Sequence, residues 1–145
     1  MLKKILLVSL ILISGCGYTA VYNNNNSANY NITISKMTGD MYMNNLIKNE
    51  FEIHSNKNSE NIYVIELNTS YTKTIKTKNV SGVASNYEII VISTFNVNSK
   101  TISFEEKFIV KNMSDSLEQR NYENVIKENF ASLIREKLIM KLMNL

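Results

Sequence analysis

Three consecutive stretches of the chain alternate apolar and polar residues, and this period of two constrains the fold more than any other feature. Tyr63, Ile65, Leu67, Thr69 and Tyr71 share one parity. Tyr87, Ile89, Val91, Phe95 and Val97 form a second series. Ile102, Phe104, Phe108 and Val110 form a third, with Glu105 and Lys107 opposite. Successive side chains of a strand point to opposite faces, so each stretch reads as a strand with one apolar face. Ile90 and Ile92 interrupt the polar parity of the middle stretch, which predicts that its centre is covered on both sides. Turn residues separate the three: first Asn79-Val80-Ser81-Gly82, then Asn98-Ser99. A shorter alternation from Tyr30 to Ser35 predicts a fourth strand upstream.

Two segments switch to helical spacing. Thr38-Gly39-Asp40 offers helix-start chemistry, and Met43, Leu46, Ile47, Phe51 and His54 then recur three and four residues apart. The polar run from Ser55 to Asn61 ends that helix. Near the C-terminus, Asp115 with Glu118 three positions on forms a capping pair. Leu117, Tyr122, Ile126, Phe130, Leu133, Ile134, Leu138 and Leu142 follow as an apolar stripe. Val125, Ile139 and Met143 widen the stripe beyond what one contact needs. The order β-α-β-β-β-α predicts an α+β fold: a two-layer sandwich of two helices on a four-stranded, largely antiparallel sheet.

Length and composition narrow the function. A chain of 145 residues fits one ordinary domain. A single Cys excludes an internal disulfide framework and any multi-cysteine metal site. One His and four Gly leave little for nucleophile–His chemistry or a phosphate-cradling loop. A formal charge of +3 does not mark a nucleic-acid binder. No catalytic residue, cofactor site or metal-ligand set is expected.

The first sixteen residues read as an address. Lys3 and Lys4 precede an apolar run from Ile5 to Ile13, interrupted only by Ser9. A bilayer core needs about 20 helical residues, so this run is a signal-peptide segment and not a lasting span. It ends Ile13-Ser14-Gly15-Cys16, which resembles the bacterial lipobox: a branched apolar residue, two small residues and Cys. The resemblance implies cleavage before Cys16 and a lipid on its thiol. The predicted organisation is a signal peptide over 1–15, a lipidated Cys16 and polar tether over 16–29, and one domain over 30–145. Removing Lys3 and Lys4 with the signal lowers 16 basic residues to 14 against 13 acidic ones, a balance of +1. Two or more acyl chains hold a protein stably on a membrane. Gly17 after the Cys, in place of Asp, resembles bacterial lipoproteins exported to the outer membrane.

The opening Cys16-Gly17-Tyr18-Thr19-Ala20-Val21-Tyr22 resembles the Cys-Gly-Phe/Tyr-x-Pro-Leu-Tyr start of the LPS-assembly lipoprotein LptE family. Tyr87-Glu88-Ile89-Ile90-Val91 is similar to a Tyr-Glu-Leu strand of that family, and Ala131 to Leu138 is similar to its closing helix. Ala20 stands where the family usually has Pro, and Ser85-Asn86 where relatives often carry Arg. The resemblance implies a plug and scaffold of the outer-membrane β-barrel LptD, assisting barrel assembly and delivery of lipopolysaccharide to the outer leaflet. It implies binding rather than catalysis. Two other readings stay open: an accessory lipoprotein of another envelope transport or assembly machine, and a lipid-tethered hydrolase.

Lys73, Lys76 and Lys78 are the candidate ligand-binding residues. They form the sharpest charge asymmetry, with no acid in sequence between Glu66 and Glu88. Lysines supply point charges suited to the anionic groups of lipopolysaccharide. The same charges also serve as a solubilising hairpin that blocks edge pairing. Lys73 has the opposite strand parity from Lys76 and Lys78, so a flat sheet would divide the three between its faces. His54 lacks a ligand partner in sequence, and Glu105 and Glu106, being adjacent on a strand, point to opposite faces.

Overall fold

The computed structural model describes residues 30–144. The signal peptide, Cys16 and the tether lie outside the described residues. The elements run β1 (Asn31–Gly39), α1 (Met41–His54), β2 (Ile62–Lys78), β3 (Ala84–Val97), β4 (Lys100–Lys111) and α2 (Ser116–Leu142). The strands form one sheet in the order β1-β2-β3-β4. β1 and β2 are parallel, because α1 carries the chain back across the sheet before β2 begins. β2, β3 and β4 are joined by hairpins and pair antiparallel. The expected α+β architecture, with a mostly antiparallel four-stranded sheet, is what the chain forms.

Local chemistry sets the boundaries. Asp40 caps α1, its carboxylate accepting from the Met43 N–H at 2.9 Å. Asp115 caps α2 in the same way, accepting from Leu117 N–H at 2.7 Å and Glu118 N–H at 3.1 Å. Asn98 and Ser99 both take positive φ, at 48° and 65°, the geometry of a two-residue hairpin whose twist matches its strands. At the longer hairpin, the Asn79 side chain accepts from the N–H groups of Ser81 and Val83, and Gly82 supplies a φ of +79°.

Both helices lie on one face of the sheet. Ile47 and Phe51 of α1 and Ile126, Phe130, Ile134 and Leu138 of α2 are buried against Ile65, Leu67, Ile89, Val91 and Phe95. The rings of Phe51 and Phe95 meet edge to face at 6.2 Å. Arg135 of α2 pairs with Glu50 of α1 at 3.3 Å, joining the helices side by side.

The expectation of cover on both sides of β3 is corrected. No described element covers the other face of the sheet: Ile92 on β3 and Ile109 on β4 remain 39% and 53% exposed. Polar neighbours explain how that face stays wet. Asn68, Thr94 and Ser103 stand in one row across β2, β3 and β4, and Glu66, Asn96 and Thr101 in another. The helical stripe is also wider than the core that it meets. Leu117, Tyr122 and Leu133 are exposed, while Gln119 and Ala131 take buried places.

Candidate functional site

The β2–β3 hairpin carries the three candidate lysines and divides them as their parity requires. Lys73 lies opposite Ile89 in the register and so faces the helices. Its ammonium reaches Glu123 of α2 at 2.5 Å and stands 4.3 Å from the centre of the Tyr87 ring. Lys76 falls at a register shift between Ile75 and Thr77. It meets Glu88 at 2.9 Å. Glu88 pairs with Thr74, on the wet face. Lys78, the last residue of β2, is exposed and makes no ion pair among the described residues. The fold therefore brings acids to two of the three cations, and the lysines do not gather into one patch.

The sequence did not reveal Glu123 as a partner. It lies 50 residues from Lys73 in the chain, and only the packing of α2 across the sheet brings them together. Glu123 also accepts from the Gln119 side chain at 2.6 Å, while Gln119 accepts from the Met113 N–H at 2.8 Å. Next to this network, Lys127 stands over the rings of Tyr71 and Tyr42 at 4.5 and 5.1 Å. Burial pushes the Tyr71 phenol up to about 12 from its ordinary 10.0, with smaller upward contributions from the charges of Glu123 and Asp40.

His54 lies at the exposed end of α1, its Nδ1 2.8 Å from the carbonyl oxygen of Glu50. Glu105 and Glu106 do point to opposite faces: Glu106 sits on the helix side against Lys137, and Glu105 lies opposite Ile92 on the wet side. Among the described residues no three metal-ligating side chains gather. No helix among them is long and apolar enough to cross a membrane.

Among the concave surfaces of the described residues, two are lined by residues of α2's apolar stripe. One, of about 340 Å³, lies where the described chain begins, between Tyr30, Tyr63, Ile139 and Leu142. The other, of about 480 Å³, is more apolar and runs along the flank of α2, between Phe108 of β4 and Tyr122, Val125 and Leu133. The helical stripe was too wide for the core because these residues line a groove instead.

No protein-family model matches the sequence, and no curated protein matches it. Solved structures do. The rare lipoprotein B from Shewanella oneidensis matches over 77% of this chain and 93% of its own, at 14% identity and a TM-score of 0.51. A protein from Caulobacter crescentus described as a lipoprotein matches over 80% of this chain and 88% of its own, at 10% identity and a TM-score of 0.54. At such identities the likeness is one of fold, and this chain has the fold of these lipoproteins.

Proposed function

We propose that the protein is a lipid-anchored lipoprotein of the outer membrane that plugs and scaffolds the LptD β-barrel, assisting its assembly and the delivery of lipopolysaccharide. One observation carries this reading: a domain with the fold of rare lipoprotein B follows a lipobox-like Cys16 and an LptE-like opening. A helix-covered core on one side and an open sheet face of mixed polarity on the other suit a body that sits within a water-lined barrel. Lys73, Lys76 and Lys78 are proposed as contacts for lipopolysaccharide or for the barrel's inner wall, with Lys78 leading because it is free of an acid.

The test is purification of the full chain from detergent-extracted membranes, with identification of what accompanies it. A large outer-membrane β-barrel in stoichiometric amount is the expected companion. Recovery of a different envelope complex favours the second reading, an accessory of another transport or assembly machine. Intact mass should show loss of residues 1–15 and an acyl increment on Cys16. A mature form that begins elsewhere, or bears no lipid, removes the anchor from the proposal.

A further inference from the structure

The two edges of the sheet differ. β1 is interrupted by a register shift between Ile34 and Lys36, which spoils it as a template for another strand. β4 keeps an unbroken register against β3 over its whole length, from Lys100 to Lys111. Its outer edge is therefore a regular row of backbone donors and acceptors with no described strand beside it.

Three of the five positions flanking Glu106 on β4 are matched or complementary about it, while Ser103/Ile109 and Thr101/Lys111 are unlike. A two-fold axis through that residue sets Glu105 opposite Lys107 of a second copy, and Lys107 opposite Glu105. It also sets Phe104 opposite Phe108, and Ile102 opposite Val110, on the helix side. Antiparallel pairing favours opposite charges and paired aromatics directly across from each other. Glu106 would face its own twin, a like-charge contact. Each Glu106, however, is already paired with Lys137 of its own chain. The centre thus holds two acids and two bases.

We infer that β4 is a self-complementary interface, and that two copies of this chain join edge to edge into one eight-stranded sheet. A two-fold axis perpendicular to the sheet leaves both helix layers on the same side. It also turns the groove of each copy toward the other, since the groove lies between β4 and the flank of α2 that faces away from α1. One act of pairing satisfies the open edge and shelters Phe108, Tyr122 and Leu133, which are 43%, 38% and 42% exposed in the single chain. The interface is isologous, so it closes at two copies and does not propagate. The inference does not rest on the proposed barrel partner, and it concerns copies that are not inside a barrel.

The experiment uses the full chain in mild detergent, with the protein mass per particle measured by light scattering over a hundredfold range of concentration. The native chain should pass from one copy to two. Lys107→Glu places acids opposite each other at both sites and should keep the chain single. Glu105→Lys combined with Lys107→Glu reverses each pair and should restore two copies. A Glu105→Cys/Lys107→Cys variant should form a covalent dimer on mild oxidation, because directly opposed β-carbons lie within disulfide reach. A Ser103→Cys/Lys107→Cys variant, whose cysteines face other residues in this register, should not. A native chain free of any barrel that stays single at every concentration overturns the inference. So does a Lys107→Glu chain that still doubles, or equal cross-linking of both cysteine pairs.

Discussion

A β-carbon placed on Gly39 would stand 2.0 Å from the carbonyl oxygen of Thr69 in the adjoining strand. That oxygen already accepts the Asp40 N–H at 2.7 Å, and Gly39 takes a φ of +84°. Two constraints therefore meet at the corner where β1 turns into α1: no room for a side chain, and a backbone conformation that L-residues avoid. Gly39→Ala should lower stability by about 2 kcal/mol or more. Thermal unfolding checks this. A melting temperature within a degree of the native value would mean that the corner opens without cost.

The edge-to-face pair Phe51–Phe95 joins α1 to the centre of the sheet, and both rings are almost fully buried. Phe95→Ala leaves a void between layers that cannot close completely. The expected loss is about 3–5 kcal/mol, read from denaturant unfolding. Phe108→Ala lies in the open groove, and should cost far less in a single chain.

Tyr71 makes stability depend on alkaline pH. Its phenol holds its proton in the fold up to about 12, whereas in the unfolded chain it releases it near 10.0. Between these values the unfolded chain carries fewer protons, so stability falls as pH rises through that window. Tyr71→Phe should remove this part of the slope, leaving the rest of the alkaline decline. Chemical denaturation of both proteins from pH 9 to 12 checks the difference. Parallel slopes would place the phenol in an environment like water.

The lysines should separate under mutation. Lys73→Ala removes a partly sheltered ion pair and a cation held over Tyr87, and should cost about 1 kcal/mol. Lys76→Ala and Lys78→Ala should each stay within about 0.5 kcal/mol of native stability. If the hairpin contacts anionic lipopolysaccharide, the Lys76→Ala/Lys78→Ala double variant should bind it several-fold more weakly, and the native affinity should fall with added salt. Unchanged binding assigns these two residues to solubility.

Features decided within a few residues were legible from the chain alone. Asp40, Asp115 and the Asn98-Ser99 turn act on their immediate neighbours, so their residue types suffice to place them. The strand faces were legible as well, since Ile65, Leu67, Ile89 and Val91 are all buried where their parity put them. Ile92 misled, because an apolar residue flanked across the sheet by Ser70 and Glu105 reads the same whether a layer covers it or the polar neighbours merely tolerate it. Leu133 misled for a related reason: spacing shows that a helix side is apolar, but not whether a strand lies beneath it or ends beside it. The Lys73–Glu123 pair was invisible, because nothing local links a strand residue to a helix 50 positions later.

The parallel pairing of β1 with β2 also sets a sequence of events in time. Asn31 has to wait for Ile62, and Ile32 for Tyr63, so the first strand has no neighbour until some thirty further residues are available. The β2–β3–β4 meander, by contrast, joins segments separated only by short turns, and its loops close at little entropic cost. Ile134 and Leu138, both fully buried, belong to α2, the last element of the fold. The core therefore stays open until α2 has been supplied. A chain emerging N-terminus first from any narrow passage remains pliable until α2 has followed, and a truncation before α2 leaves much of the sheet's apolar face uncovered.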